Sequence, residues 1–383
     1  MIYLDHAATT RVRPEVRQAI APALDAVFGN PSSTHAAGRA ARALVDTARD
    51  QVAAALGARA REIVFTGGGS EADNLALRGV AQARREPPGH LVVSAIEHEA
   101  VLETAHALAA AGWAVTVLPV DGVGRVDPAQ LAAALRPDTA LVSVMLASNE
   151  VGTVQPVAEL ARVTRERSRA LFHTDATQAL GKLPIDVAAL GVDLLTISAH
   201  KVYGPKGVGA LYVRRGVELR PQITGGGHER ARRSGTENVP GIVGLGLAAT
   251  LAVAEQAVEL PRQRALCDRL RALVLAGVPG AVVTGAEGPE RLGNFATFAF
   301  PDVPGDLLLL RLDRAGVCAS AGSACASGSV APSHVLLAMG LPPAVAAGGL
   351  RCTVGRETTA ADVDQAAAAI VQAVAAQRAP VLA

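Results

Sequence analysis

Short apolar runs that end in polar or glycine-rich residues, each followed by a long alanine-rich stretch, recur through the first two thirds of this chain. No other feature narrows the possible folds as much. "REIVFT" leads into "GGGSEADNLALRGVAQARR", and "HLVVSAI" leads into "EHEAVLETAHALAAAG". "WAVTVLPV", "TALVSVMLA", "ALFHTDA", "DLLTISA" and "GVGALYVRR" follow. The runs are apolar throughout rather than alternating, as strands buried on both faces must be. Strand and helix in repeated succession predict an α/β fold, with a mainly parallel sheet and helices on both faces. From about Glu255 the pattern changes to a charged helical segment, then "NFATFAFPDV", then a final alanine-rich helix. The expected division is a large domain over 14–254 and a smaller α+β domain formed by 1–13 and 255–383.

In open α/β sheets, ligands bind beyond the carboxyl ends of the strands. Beyond "IVFT" stand Gly67, Gly68, Gly69, Ser70 and Glu71; beyond "VVSAI", Glu97 and His98. Ser148, Asn149 and Glu150 follow "VSVMLA", Asp175 and Gln178 follow "LFHT", and Ser198, His200 and Lys201 follow "LLTI". Five such ends converging on one rim make a site. The Gly67–Ser70 turn opens a helix, so its free N–H groups suit a phosphate, although a tight turn needs the same glycines.

Of the 36 lysines and arginines only three are lysines: Lys182, Lys201 and Lys206. A desolvated lysine can lose its proton and act as nucleophile or base, which a guanidinium cannot. A phosphate cradle, an aspartate at a strand end and a reactive lysine together suit pyridoxal 5'-phosphate, which needs a covalent lysine and a carboxylate at its ring nitrogen. His98 is placed to stack on such a ring, and a structural histidine is the bland alternative. In "CASAGSACASGSVAPSH", at about 318–334, Cys325 lies among small residues with no large apolar neighbour, so it is expected to be presented to solvent. Cys267 and Cys318 read as structural, and Arg351 as a carboxylate clamp.

A net charge of +1 and the lack of any basic tract argue against a direct nucleic-acid partner. The uncharged stretch 239–254 is shorter than the roughly 20 residues of a membrane span and reads as a buried helix. Four cysteines without CxxC pairs indicate a reducing, cytoplasmic setting and no metal site.

The motifs "YLDHAATT" (3–10), "GNPSSTH" (29–35), "SNEVGTVQP" (148–156), "HTDATQALGKLPID" (173–186), "SAHKVYGPKGVGALYVRR" (198–215), "GGGHER" (225–230), "RSGTENV" (233–239) and "GSACASG" (322–328) span nearly the whole chain. It resembles the cysteine desulfurases of the NifS/IscS type, within the class V aminotransferases and fold-type-I pyridoxal-phosphate enzymes. The resemblance implies a seven-stranded, mainly parallel sheet with a smaller second domain carrying a mobile cysteine loop. Lys201 would hold the cofactor covalently and move the proton at Cα; Asp175 would pair with the ring nitrogen and Gln178 with the ring hydroxyl. His98 would stack on the ring and assist proton transfer. Gly69, Ser70, Ser198 and His200 would hold the phosphate, and Thr236 would reach the phosphate in the other subunit of a homodimer. Asn149 and Arg351 would bind the carboxylate of L-cysteine. Cys325 would take the sulfur as a persulfide, release alanine and pass the sulfur to an acceptor such as an iron–sulfur scaffold or a tRNA-thiolation protein. The turn reads "TGGGSEADN" where the family more often has Ser-Gly-Ala-Thr before the Glu; Ser70 keeps the hydroxyl. Other readings are a selenocysteine lyase, a cysteine-sulfinate desulfinase, an aminotransferase, which needs no loop thiol, or a non-catalytic persulfide or metal carrier.

Overall fold

The computed structural model describes residues 1–84, 88–321 and 332–379. In chain order the strands are β1 (Ile2–Tyr3), β2 (Ile63–Thr66), β3 (His90–Ser94), β4 (Ala114–Leu118), β5 (Thr139–Ser143) and β6 (Leu171–Asp175). They continue as β7 (Leu194–Ser198), β8 (Gly209–Val213), β9 (Val282–Val283), β10 (Phe295–Ala299), β11 (Val317–Cys318) and β12 (Gly349–Thr353). Seven form one sheet in the order β2-β8-β7-β6-β5-β3-β4. Only β8 runs antiparallel to its neighbours, β2 and β7. The carboxyl ends of β2, β3, β5, β6 and β7 therefore share one rim, as the continuous apolar runs required.

Helices cover both faces. One face carries an apolar cluster that includes Val45, Val52, Leu195, Ile197 and Leu245, fed by the helices Ala36–Leu56 and Val239–Gly277. The other carries Leu75, Val80, Val101, Leu141 and Leu211, fed by the helices Gly69–Ala83 and Glu99–Ala110. A separate cluster joins Leu4, Leu270, Phe298, Leu308, Leu350 and Ile370. It is organised on the antiparallel trio β12-β10-β9, and β1 enters it by pairing in parallel with β11.

The helix Val239–Gly277 runs without interruption through position 254. Its first part buries Ile242, Leu245 and Ala248 in the large cluster; its last part buries Leu266, Leu270 and Val274 in the other. By length and composition this helix is apolar enough to cross a membrane, but here that apolar face packs on the helix Ala36–Leu56. The approach is close enough to require glycine. A Cβ on Gly246 would lie 2.8 Å from the Ala48 Cα.

Candidate active site

A cavity of about 390 Å³ opens on the rim. Gly69, Ser70, His98, Asn149, Asp175, Gln178, Ser198, His200, Lys201 and Arg351, ten of the residues singled out in the sequence, line it together. Thr236 does not. It is exposed, on the segment that follows a left-handed turn at 229–231. Cys325 lies outside the described residues.

At one end of the cavity, Gly68 turns the chain into the helix Gly69–Ala83 at φ 154°, a conformation that favours glycine. The Glu71 carboxylate steadies this turn, accepting the Gly67 N–H at 2.8 Å while Arg233 grips it through Nε at 2.8 Å. A Cβ on Gly69 would lie 3.2 Å from Thr177 Oγ1 and 3.5 Å from the Ser198 Cβ, so three strand ends meet here around a helix N-terminus. His200 adds a neutral imidazole, its pKa pulled to about 4 by burial and by Lys201, and its Nδ1 lies 3.2 Å from Thr9 Oγ1.

Lys201 follows β7 in a single 3-10 turn. Its Nζ donates to the carbonyls of Ala7 at 2.7 Å and Ala8 at 2.6 Å. Gln178 Nε2 also donates to Ala7, at 2.9 Å. The N-terminal "YLDHAATT" thus serves the site through its backbone. Its conformation supplies the acceptors, so no side-chain signal announced them. Lys182 lies behind Lys201 and donates to the Gln178 carbonyl at 3.1 Å. Its residue is partly exposed, but burial of the amine and the charge of Lys201 bring its pKa to about 7.

Asp175 ends β6 and accepts the Thr177 N–H at 2.8 Å. Behind it stands a buried polar layer that the sequence reading did not connect. His173 shares hydrogen bonds with Ser143 Oγ at 2.8 Å and Thr196 Oγ1 at 3.1 Å, and burial keeps it neutral with a pKa of about 3. Asp73 Oδ1 is 3.6 Å from His173 Nε2. Burial, and then the charge of Asp175, push the Asp73 carboxyl well up. Burial likewise raises Glu97 to about 8, although Ser94 Oγ and the Met145 N–H both donate to it. A buried carboxyl beside another carboxylate holds its proton because two charges cannot share a low-dielectric pocket.

His98 caps the helix Glu99–Ala110: its Nδ1 accepts the Ala100 N–H at 3.1 Å. That bond leaves the proton of the neutral ring on Nε2. Opposite, Arg351 is buried in β12; Nη1 donates to the Asn149 carbonyl at 2.8 Å and Nη2 to Asp5 Oδ1 at 2.9 Å. His334 also lines the cavity, its Nε2 3.1 Å from the Glu97 carbonyl; it closes the cysteine-bearing segment and was not assigned a role from sequence. Cys267 and Cys352 are fully buried, and burial lifts the Cys267 thiol to about 12 and Cys352 further. Both are poor nucleophiles. Among the described residues no group of three or more His, Cys, Asp or Glu could hold a metal.

Residues 2–366 match the class-V aminotransferase family. The chain is 47% identical to cysteine desulfurase IscS of Dictyoglomus turgidum over 95% of its length and 92% of that protein. It is 48% identical to cysteine desulfurase 1 of Trichormus variabilis, over 95% and 90%. The chain is a member of the cysteine desulfurase family. Among solved structures, a NifS-like protein superposes with a TM-score of 0.90 at 37% identity, covering 97% of this chain and 98% of the other. A protein described as SspA in complex with cysteine does so at 0.80 and 37%, over 92% and 99%.

The desulfurase family depends on pyridoxal phosphate, and this cavity fits that cofactor. Among the described residues, five buried polar atoms on residues that line it have no hydrogen-bond partner: Asp73 Oδ1, Asn149 Oδ1, Thr177 Oγ1, Gln178 Oε1 and Arg351 Nε. Buried polar groups left without partners carry a desolvation cost that a polar ligand relieves. A helix N-terminus at Gly69, the Asp175 carboxylate and the Lys201 amine share this cavity, and such a donor and acceptor set suits a phosphorylated pyridine aldehyde.

Proposed function

We propose that this desulfurase takes the sulfur of L-cysteine as a persulfide on Cys325, releases L-alanine and passes the sulfur to a protein acceptor. The observation that carries this reading is the meeting, in one cavity, of a lysine, a strand-end aspartate, a helix-capping histidine and a buried arginine. Bound pyridoxal phosphate supplies the electron sink that makes the substrate Cα–H acidic. Gly69, Ser70, Ser198 and His200 would hold its phosphate, Asp175 would pair with its ring nitrogen, and Gln178 with its ring hydroxyl. Arg351 and Asn149 hold the substrate carboxylate. Lys201 Nζ, oriented by the Ala7 and Ala8 carbonyls, moves the proton at Cα. His98, whose Nδ1 accepts the Ala100 N–H and leaves Nε2 to carry the ring proton, would stack on the ring and assist proton transfer at the substrate thiol.

The Cys325 thiolate then attacks the substrate sulfur. The S–S bond forms, the Cβ–S bond breaks, and its electron pair stays on Cβ, which takes up a proton to become the methyl group of alanine. Sulfur is oxidised and carbon reduced in one displacement, so no external oxidant enters.

A homodimer is part of this reading, with the exposed Thr236 reaching the partner's phosphate site. It is supported by that exposure and by Leu24 and Phe28, 70% and 79% exposed beside "GNPSSTH". We read 14–254 as the cofactor domain and 1–13 with 255–383 as the second, on the strength of their separate apolar clusters. Location in the cytoplasm and an iron–sulfur or tRNA-thiolation acceptor complete the proposal.

The test compares alanine and sulfide released from L-cysteine under excess reductant by the cofactor-loaded enzyme and by Cys325→Ala. Equal amounts from the parent, with the variant keeping its cofactor absorbance but losing sulfur transfer, are expected. Pyruvate in place of alanine, or persulfide formation undiminished in the variant, would overturn it.

A further inference from the structure

Arg351 is held from four parts of the chain at once. Its backbone pairs with Thr297 of β10 on one side and with Ser320 on the other, where Ser320 N donates to the Arg351 carbonyl at 3.1 Å. Its side chain is 3% exposed. Asn149, beyond β5, takes one end of the guanidinium through its carbonyl, and Asp5, from the N-terminal segment, takes the other through Oδ1. Among the described residues, the buried Nε has no partner.

Asp5 is itself fixed. Its carbonyl accepts from Tyr3 Oη at 3.1 Å and from the Ala8 N–H at 3.0 Å, and its backbone bridges to Thr353, two residues beyond Arg351. Among the described residues, the hydrogen bond to its carboxylate comes from Arg351. A guanidinium offers five N–H donors in a rigid planar fork, but several rotatable bonds separate that fork from the backbone. Pinning two corners sets the plane and leaves the remaining donors to a ligand.

We propose that Asp5 is a positioning residue for substrate recognition: it orients the Arg351 fork so that its remaining donors meet the α-carboxylate of L-cysteine. This rests on the reading of Arg351 as the carboxylate clamp. Orientation, not charge, is the function assigned. A negative charge behind the clamp subtracts from its attraction for a carboxylate, so a purely electrostatic design would place no acid there. The same strand pairs with Ser320, so the geometry of the clamp is also tied to the start of the cysteine-bearing segment.

The test uses the cofactor-loaded enzyme and two probes, L-alanine and ethylamine, which differ by the carboxylate. Binding is read as the change in cofactor absorbance, alongside KM and kcat for L-cysteine. Asp5→Ala is expected to weaken L-alanine and raise KM about tenfold, the loss of one charge-assisted hydrogen bond, while ethylamine shifts less than about twofold. Asp5→Asn keeps an oxygen acceptor at the same place, and is expected to recover L-alanine binding to within about threefold. Asp5→Glu keeps the charge but moves it by one methylene, and is expected to lose carboxylate selectivity; it decides the matter if Asp5→Ala does not hold cofactor. Equal weakening of both probes by Asp5→Ala, or no recovery in Asp5→Asn, would overturn the positioning role. Arg351→Lys that binds both probes like the parent would instead refute the clamp itself.

Discussion

Glu229→Ala tests how the chain holds a conformation that its residues resist. Glu229, Arg230 and Ala231 stand consecutively in the left-handed region, at φ 48°, 58° and 61°. Each L-residue there costs about 1–2 kcal/mol, so the turn carries roughly 3–6 kcal/mol of strain. The opposing term is visible. Arg49 grips the Glu229 carboxylate through Nη1 at 2.7 Å and Nη2 at 2.6 Å, and the Phe65 N–H donates to it at 2.9 Å. The guanidinium lies 4.6 Å from the Phe65 ring centroid, and both charged side chains are 3% exposed. Removing one member of a buried pair leaves the other charge uncompensated, at about 3–5 kcal/mol. That is enough to release the turn and displace Thr236, five residues after Ala231. Urea unfolding followed through Trp113, the single tryptophan, buried in the large unit, reads the loss. Glu229→Gln should fall between parent and Ala, and adding Arg49→Met to Glu229→Ala should recover stability by removing the orphan charge. A loss under about 1 kcal/mol for Glu229→Ala would mean that the clamp does not offset the strain.

Two further substitutions probe the core and the layer behind Asp175. Burial raises Glu97 from 4.5 to about 8, so the folded state holds a proton that the unfolded chain releases between those values. Its contribution is therefore full below pH 4.5 and is lost as pH rises to 8, on the order of 4 kcal/mol. Glu97→Gln should match the parent at pH 4.5 and exceed it in melting temperature at pH 8.5; a parallel offset at both pH values would refute the assignment. Gly246→Ala puts a methyl 2.8 Å from the Ala48 Cα and should cost about 1–3 kcal/mol in the same urea assay, with no loss pointing to helices that separate freely.

The sheet, its helices and most of the cavity wall were legible in the sequence because burial on both faces writes itself as unbroken apolar runs. The carboxyl ends of parallel strands must then lie on one rim, and ten of the residues singled out there do line one cavity. Lys201 was conspicuous because lysine is so rare in this chain. Other features had no local signature. The Ala7 and Ala8 carbonyls meet Lys201 across more than 190 residues, and Asp5 meets Arg351 across 346. Carbonyl acceptors look the same in every residue, and an N-terminal aspartate says nothing about which cation it will find. The helix Val239–Gly277 shows the same limit: the change of pattern near Glu255 is real in composition, yet one continuous helix serves two clusters. Hydrophobic periodicity, set within a few residues, alone determined the layers and the rim. The orientation of the arginine fork, the protonated acids behind Asp175 and the strained turn before Thr236 were decided only by tertiary packing. Each depends on charges and dipoles brought together from distant segments in a low-dielectric interior.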